Sequence, residues 1–592
     1  MKRKCLLVLL FVFCFSKLTS ETYSSYELIP AGHWLYDAYF VLMAQEKKTS
    51  LMDSAPVTVA EFEQNFYKIN YENLSESAKN IYDKIEDYLN EKKFCFNLGP
   101  VKAYLNLKLN PILLFKSNNN IDWSFATDYS GPNNSPEAGY GTSSNYMNSK
   151  FTKPIISAPI RLTVPQYFII DLEPFIGKNF WSMTDNYNFS NLPLSGSDFD
   201  FLWPRKAYAS TGLLFENWGV NLHIAKEGLQ IGKTQTGSII YNSTFETDAY
   251  VQLNIFSEKF KYILNAIQVG QNRYMYLHQV GFSLFNKLKL EVVEGTFVNA
   301  PFELRFLNPL MIMHSFGAWE QYISPFEEKY FGEAHICQYL AINFSLNAIK
   351  NVRIYGLFAM NEIQFPNELG SPSGDALPNS LGGQLGIELT IPYKQGWFLG
   401  TLEGVYTSPY FYIKQGADWS LYSKRRNMQG YGASPICSWI GTPFGPDSIG
   451  AQIRFGYNKV GKWNAEFDYL FVAHGINSFG LFNKKITVKD EYGNVLKYLA
   501  ARLIITGDAG NIPDGPSIDP TPTPGPTINV DDVTFEDVTV YYDGEEHEIK
   551  CKNVPEGVIV TYLMNKQTEV GVYNAVAVLT DAKTLTEITR LF

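Results

Sequence analysis

From Ile449 to Phe471 the chain alternates. Ile449, Ala451, Ile453, Phe455 and Tyr457 occupy every second position, and Gln452, Arg454, Gly456 and Asn458 lie between them. After a turn at 458–461 the rhythm resumes, with Trp463, Ala465, Phe467, Tyr469 and Phe471 separated by Asn464, Glu466, Asp468 and Leu470. A period of two puts successive side chains on opposite faces of a strand. The stretch therefore predicts a hairpin whose arms are long enough to cross a membrane at a tilt. In "QLGIELTIPY" Leu385, Ile387, Leu389 and Ile391 share one face while Gln384 and Glu388 take the other. "NVRIYGLFAMNE" and "KLKLEVVEGTFV" behave likewise.

Residues 97–505 hold about sixteen to eighteen such runs, with short turns alternating with long polar connections, the habit of outer-membrane barrels. The fold class expected is mainly β: a transmembrane antiparallel β-barrel with a small N-terminal helical domain and a C-terminal β-sandwich. In 287–298, Leu288, Leu290 and Val292 form the lipid face, which sends Glu291 inward and places Glu294 near an interface. A Lys or Arg on the lipid face at mid-depth costs about 2–4 kcal/mol, and an Asp or Glu somewhat less. Glu303 and Arg305 share parity and are expected to pair in the lumen, and Arg353, Glu388, Arg454 and Glu466 are further inward charges.

Before this region the period changes. Residues 30–93 carry apolar positions at helical spacing: Trp34, Tyr39, Leu42 and Met43, then Phe62, Phe66 and Ile69, then Ile81, Ile85 and Leu89. Thr58 with Glu61 reads as a capping box, and Ser75 as the cap of a third helix. "PAGHWLYDAY" followed by "TVAEFEQNF" resembles S-layer homology modules, which implies peptidoglycan as a partner of this helical domain; a packing bundle around Trp34 explains the same residues. Residues 506–527 are rich in Pro and Gly and read as an extended linker. Residues 528–592 alternate again between turn signals and fit a β-sandwich. "YDGEEHEI", "PEGVIVTY" and "EVGVYNAVAVL" resemble bacterial Ig-like adhesin repeats.

Composition agrees with a membrane barrel. Of 592 residues only 18% are charged and 15% are aromatic, with 38 Tyr and 42 Phe; Tyr and Trp settle at membrane interfaces. The start, "MKRKCLLVLLFVFCFSKLTS", has the basic residues and short apolar run of a secretory leader, with cleavage expected after Ser20. Phe13 before Cys14 argues against lipidation there. The expected organisation is leader 1–20, helical domain 21–96, barrel 97–505, linker 506–527 and sandwich 528–592. A net charge of −10 argues against nucleic acid.

No catalytic or metal motif is present. The seven His are scattered, the four cysteines beyond the leader are isolated, and neither HExxH nor GxSxG nor a phosphate-binding loop occurs. The expectation is a protein that is not an enzyme and holds no cofactor or metal. Sugar binding needs only aromatic faces with polar groups beside them. Trp181, Asp185, Tyr187, Trp203 and Arg205 crowd one long connection, and Trp319, Trp419, Lys424, Arg425 and Arg426 stand in two others.

The order of features from 228 to 314 resembles the capsule-assembly family called Wzi: Gly232-Lys233 at a strand entry, Gly237-Ser238 in a turn, then His278, Glu294 and Asn308-Pro309. Lys233 stands where the family has Arg, and the C-terminal tail is not part of the family pattern. The resemblance implies an outer-membrane barrel that holds exported polysaccharide at the cell surface without chemistry, and it adds Lys233 to the lumen charges. The alternative is a porin or solute-uptake channel whose selectivity is set by those charges.

Overall fold

The computed structural model describes residues 17–21, 24–113, 154–178, 190–199, 206–242, 248–310, 335–363, 379–413, 420–429 and 432–474, with short pieces elsewhere. Alternation produces long strands. Seventeen of them form one antiparallel sheet: β1 (Lys17–Glu21), β2 (Lys93–Leu98), β3 (Val101–Leu105), β4 (Ile160–Val164), β5 (Phe168–Glu173), β6 (Lys206–Leu214), β7 (Trp218–Lys226), β8 (Ala249–Ser257), β9 (Phe260–Gly270), β10 (Arg273–Leu284), β11 (Leu288–Asn299), β12 (His335–Leu346), β13 (Val352–Glu362), β14 (Ser380–Tyr393), β15 (Gly396–Thr407), β16 (Ser448–Lys459) and β17 (Trp463–His474). Pairing follows chain order from β1 to β17.

The two faces differ in kind. On β14 Ser380, Gln384, Glu388 and Thr390 are buried, while Leu385, Ile387, Leu389 and Ile391 are 59%, 44%, 42% and 43% exposed. On β11 Lys289, Glu291 and Val293 are buried and Leu290 and Val292 are exposed. Polar residues thus face in and apolar ones face out, the inverse of a soluble sandwich.

The sheet winds round a small helical domain made of α1 (Trp34–Glu46), α2 (Val59–Phe66) and α3 (Glu76–Leu89). That domain touches the short turns one after another. Gln64 donates to the Phe215 carbonyl, the Thr49 amide to Asn286, the Asn351 amide to Ala44, and Asn80 to the Lys394 carbonyl. Trp34 lies against Gly461. A compact domain reaches turns spread along the whole sheet only if the sheet curls about it. Thr58 and Ser75 cap α2 and α3, accepting from the Glu61 and Ala78 amides at 3.3 Å each. α1 buries Leu35, Tyr36 and Ala38–Ala44, residues from most of its circumference, because it is packed on several sides, while Asp37 stays exposed.

Residues 507–592 form a separate unit. It contains a three-stranded antiparallel sheet of 558–563, 576–581 and 587–588.

Candidate functional site

The interior of the wrapped sheet is occupied, and the occupants come from three parts of the chain. Between β7 and β8 the chain leaves the wall and crosses to the far side. There Lys233 meets Glu388 of β14 at 3.1 Å, and the Gln235 and Thr236 amides donate to Glu403 of β15 at 2.7 and 2.8 Å. Two glycines permit the path. Gly232 and Gly237 have φ of +85° and +96°, and a Cβ would lie 2.9 Å from Leu357 at one and 2.6 Å from Asn242 at the other.

Glu403 accepts five hydrogen bonds: from the Gln235 and Thr236 amides, the Thr236 and Tyr355 hydroxyls and the Gln384 amide group. Glu388 receives Lys233 and Arg353, and Arg353, only 2% exposed, lies over the Tyr355 ring at 4.0 Å. Arg454 of β16 donates to Gln235 at 2.7 Å and pairs with Asp468 at 2.9 Å, with Glu466 at 3.8 Å. Lys233 also pairs with Asp37 of α1 at 3.0 Å, which ties the crossing segment to the helical domain.

The helical domain and its flanks supply the second occupant. Three of its acids each meet a cation on the wall. Asp53 pairs with Lys289, which also binds Glu291 at 2.7 Å; Asn343 donates to both carboxylates. Glu61 pairs with Lys261 at 2.5 Å and receives Asn254 at 2.7 Å. Glu27 pairs with Arg161, which also holds Asp171. At the cap of α1, His33 accepts from the Leu35 amide, and its other nitrogen is 3.3 Å from the Tyr88 hydroxyl. Burial, then Lys108 and Lys93, push the imidazole pKa down to about 4.

The third occupant is the connection between β15 and β16. Phe411, Tyr412, Ile413, Leu421, Tyr422, Trp439, Ile440 and Phe444 are buried. The Tyr412 hydroxyl donates to the Ile239 carbonyl of the crossing segment at 2.5 Å, and Tyr339 donates to the same oxygen at 3.0 Å. Arg273 stacks on Tyr422 at 4.2 Å and Phe297 at 4.7 Å.

Among the residues expected from sequence, Lys233, Arg353, Glu388 and Arg454 thus fall in one network with Glu466 at its margin, and Glu291 lies in the Lys289 cluster. Glu303 and Arg305 are elsewhere. β11 stops at Asn299, just ahead of Pro301, which has no amide for the ladder. The two side chains pair with each other, partly exposed, with Glu303 at the start of the short helical turn Leu304–Leu307 and Arg305 within it. Lys424, Arg425 and Arg426 sit on a hairpin of 422–429 and 432–439 where a polar loop was expected. Trp181, Asp185, Tyr187, Trp203, Arg205, Trp319 and Trp419 lie outside the described residues.

Sequence reasoning missed Asp53, Glu61, Lys261, Lys289, Arg161 and Glu403. Lys289 had a signal, since it shares the parity of Glu291. The helical acids had none, because a capping box accounts for Glu61 locally and nothing local points to Lys261. Among the described residues no cluster of three or more metal-ligating side chains occurs.

No protein-family model matches the chain, and no curated protein matches it. Among solved structures it is similar to Wzi of Escherichia coli, an outer-membrane protein involved in group 1 capsule assembly and described as a carbohydrate-binding β-barrel. The identity is 11%, over 76% of this chain and 85% of that one, with a TM-score of 0.45. It is also similar to OpdK of Pseudomonas aeruginosa, solved with vanillate (10% identity, 64% of this chain, 86% of that one, TM-score 0.28). OccAB3 of Acinetobacter baumannii matches at 9% identity over 67% of this chain and 92% of that one, TM-score 0.27. At these values the neighbours decide nothing between a sugar-binding and a conducting barrel.

Proposed function

We propose that this chain is an exported outer-membrane barrel, not an enzyme, that binds or anchors polysaccharide at the cell surface rather than conducting solutes. The observation that carries the reading is the filled interior. A porin needs a continuous hydrated path lined by unpaired or ring-arranged charges. Here the inward charges Lys233, Glu291, Arg353, Glu388 and Arg454 bind other parts of the same chain. The outward bands of Leu, Ile and Phe on β11, β14 and β15 suit lipid. Because the helical domain caps the end with short turns, it faces the periplasm, where peptidoglycan is within reach. The proposed sugar contacts are the Trp and Tyr of 181–203, Trp319, Trp419 and the basic run 424–426, through ring stacking and charge. The tail beyond 527 serves as an Ig-like spacer or adhesive module.

Single-channel recording of the refolded, leader-free protein in a planar bilayer tests this. The expected record is silent, from protein whose heat-modified gel mobility marks a folded barrel, and the same sample should bind surface glycan on an array. Large, steady, salt-dependent openings would replace this reading with the porin.

A further inference from the structure

Where the helical domain meets the wall it leaves a cleft, bordered by the short turns that join β8 to β9 and β10 to β11 and by the segment that follows α1. The floor is apolar, made by the buried Tyr39, Met43 and Ile69. Ser50 lies among them. Its oxygen accepts from the Tyr39 hydroxyl and the Met52 amide, at 3.2 Å each, which leaves its own hydroxyl to donate. The cleft holds about 410 Å³ of empty space, part of it open to solvent, room for the end of a peptide and not for a folded partner.

Four charges border this floor, and they sum to zero. Lys48 is held in place by Glu46, whose side chain is only 3% exposed; the carboxylate contacts the ammonium at 3.0 Å and also accepts from the Asn70 amide at 3.1 Å. Lys68 of the helical domain and Glu258 of the wall turn meet at 3.7 Å, both partly exposed. An exposed pair at that distance contributes little to stability. A ligand with one charge of each sign can therefore replace it at small cost, whereas a singly charged ligand leaves one member unmatched.

Resting on the barrel reading above, which turns this end toward the periplasm, we propose that the cleft binds an amino-acid end that carries both an ammonium and a carboxylate, as the stem peptide of peptidoglycan presents it. The apolar floor takes the carbon chain, Lys48 and Lys68 take the carboxylate, and Glu258 takes the ammonium. Because Glu258 belongs to the wall and both lysines to the helical domain and its flank, the bound peptide spans the seam between them.

The full chain, purified in detergent from outer membranes, is titrated by calorimetry with a stem tripeptide ending in diaminopimelate and with the same tripeptide acetylated on the diaminopimelate amine. The free tripeptide should bind, and acetylation should weaken it at least tenfold. Glu258→Gln and Lys48→Gln should each weaken it as much. Lys259→Gln, which removes a charge from the same turn outside the cleft, should leave it unchanged. Glu258 is exposed, so its variant tests the site even where Lys48→Gln, which uncovers Glu46, fails to fold. Isolated peptidoglycan should capture the chain, and the tripeptide should compete. Equal affinity for the two tripeptides, or no binding by a chain that keeps its heat-modified mobility, overturns the cleft and leaves the barrel standing. Failure of peptidoglycan to capture a chain that binds the tripeptide overturns the wall as the source. Loss of heat-modified mobility in the unsubstituted chain rejects the barrel reading itself.

Discussion

The two ends of the interior are sealed by different chemistry. At the short-turn end the helical domain docks through buried ion pairs: Asp53 on Lys289, Glu61 on Lys261 and Glu27 on Arg161. At the long-loop end the connection between β15 and β16 docks through a packed aromatic group, with Tyr412, Trp439 and Tyr422 in ring contact. Removing both charges of a buried pair is often neutral, whereas removing one is costly. An apolar seal loses stability in proportion to the volume removed. The first seal therefore selects its partner by charge, and the second chiefly by shape.

The sharpest way to break the contrast is Lys289→Ala. It leaves Asp53 and Glu291 buried beside each other without a cation, at a cost of about 3–5 kcal/mol, read as a fall in the urea midpoint. Adding Asp53→Asn should recover part of that loss. If the double variant is no better than the single, the seal is not electrostatic. Trp439→Ala at the other end should cost about 3 kcal/mol through the cavity it leaves, and no charge substitution nearby should rescue it.

Glu403→Gln tests the segment that joins the two seals. It sets an NH2 group against donors that Glu403 now satisfies, for a loss of about 1–3 kcal/mol. Cleavage by a protease within 233–238 should rise in that variant.

A fall in pH from 6.5 to about 4 should loosen the helical end. His33 is held neutral in the fold, with its pKa lowered from 6.5 to about 4. The unfolded chain therefore binds a proton in this window that the folded one does not, so stability is fully present above pH 6.5 and is lost as pH falls. Hydrogen exchange of α1 at the two pH values measures it, and His33→Gln should flatten the dependence. The smallest effect is expected from Thr58→Ala, which removes the cap of α2 for about 1 kcal/mol by thermal unfolding.

Much of this was legible in the chain. The parity of Leu385, Ile387, Leu389 and Ile391 against Gln384 and Glu388 is plain in the residues, and so is the hairpin at 449–471. Thr58 and Ser75 were recognisable as caps from their place ahead of apolar helical runs. Arg353 and Glu388 could be assigned to the inner face but not to each other. Their meeting with Lys233 depends on a segment that leaves the wall between β7 and β8, and alternation is silent about such a path. For Glu303 and Arg305 strand parity is no guide, because the strand ends at Asn299, ahead of Pro301.

The sequence by itself determined which residues face in and out, where the helices begin and where turns fall, because these follow from periods of two and 3.6 and from local hydrogen bonding. Only the tertiary structure decided what fills the interior. Lys289 and Asp53 are 236 positions apart, and Lys261 and Glu61 are 200 apart. Which acid meets which cation is set by the curl of the whole sheet round the helices, a geometry that no local pattern encodes.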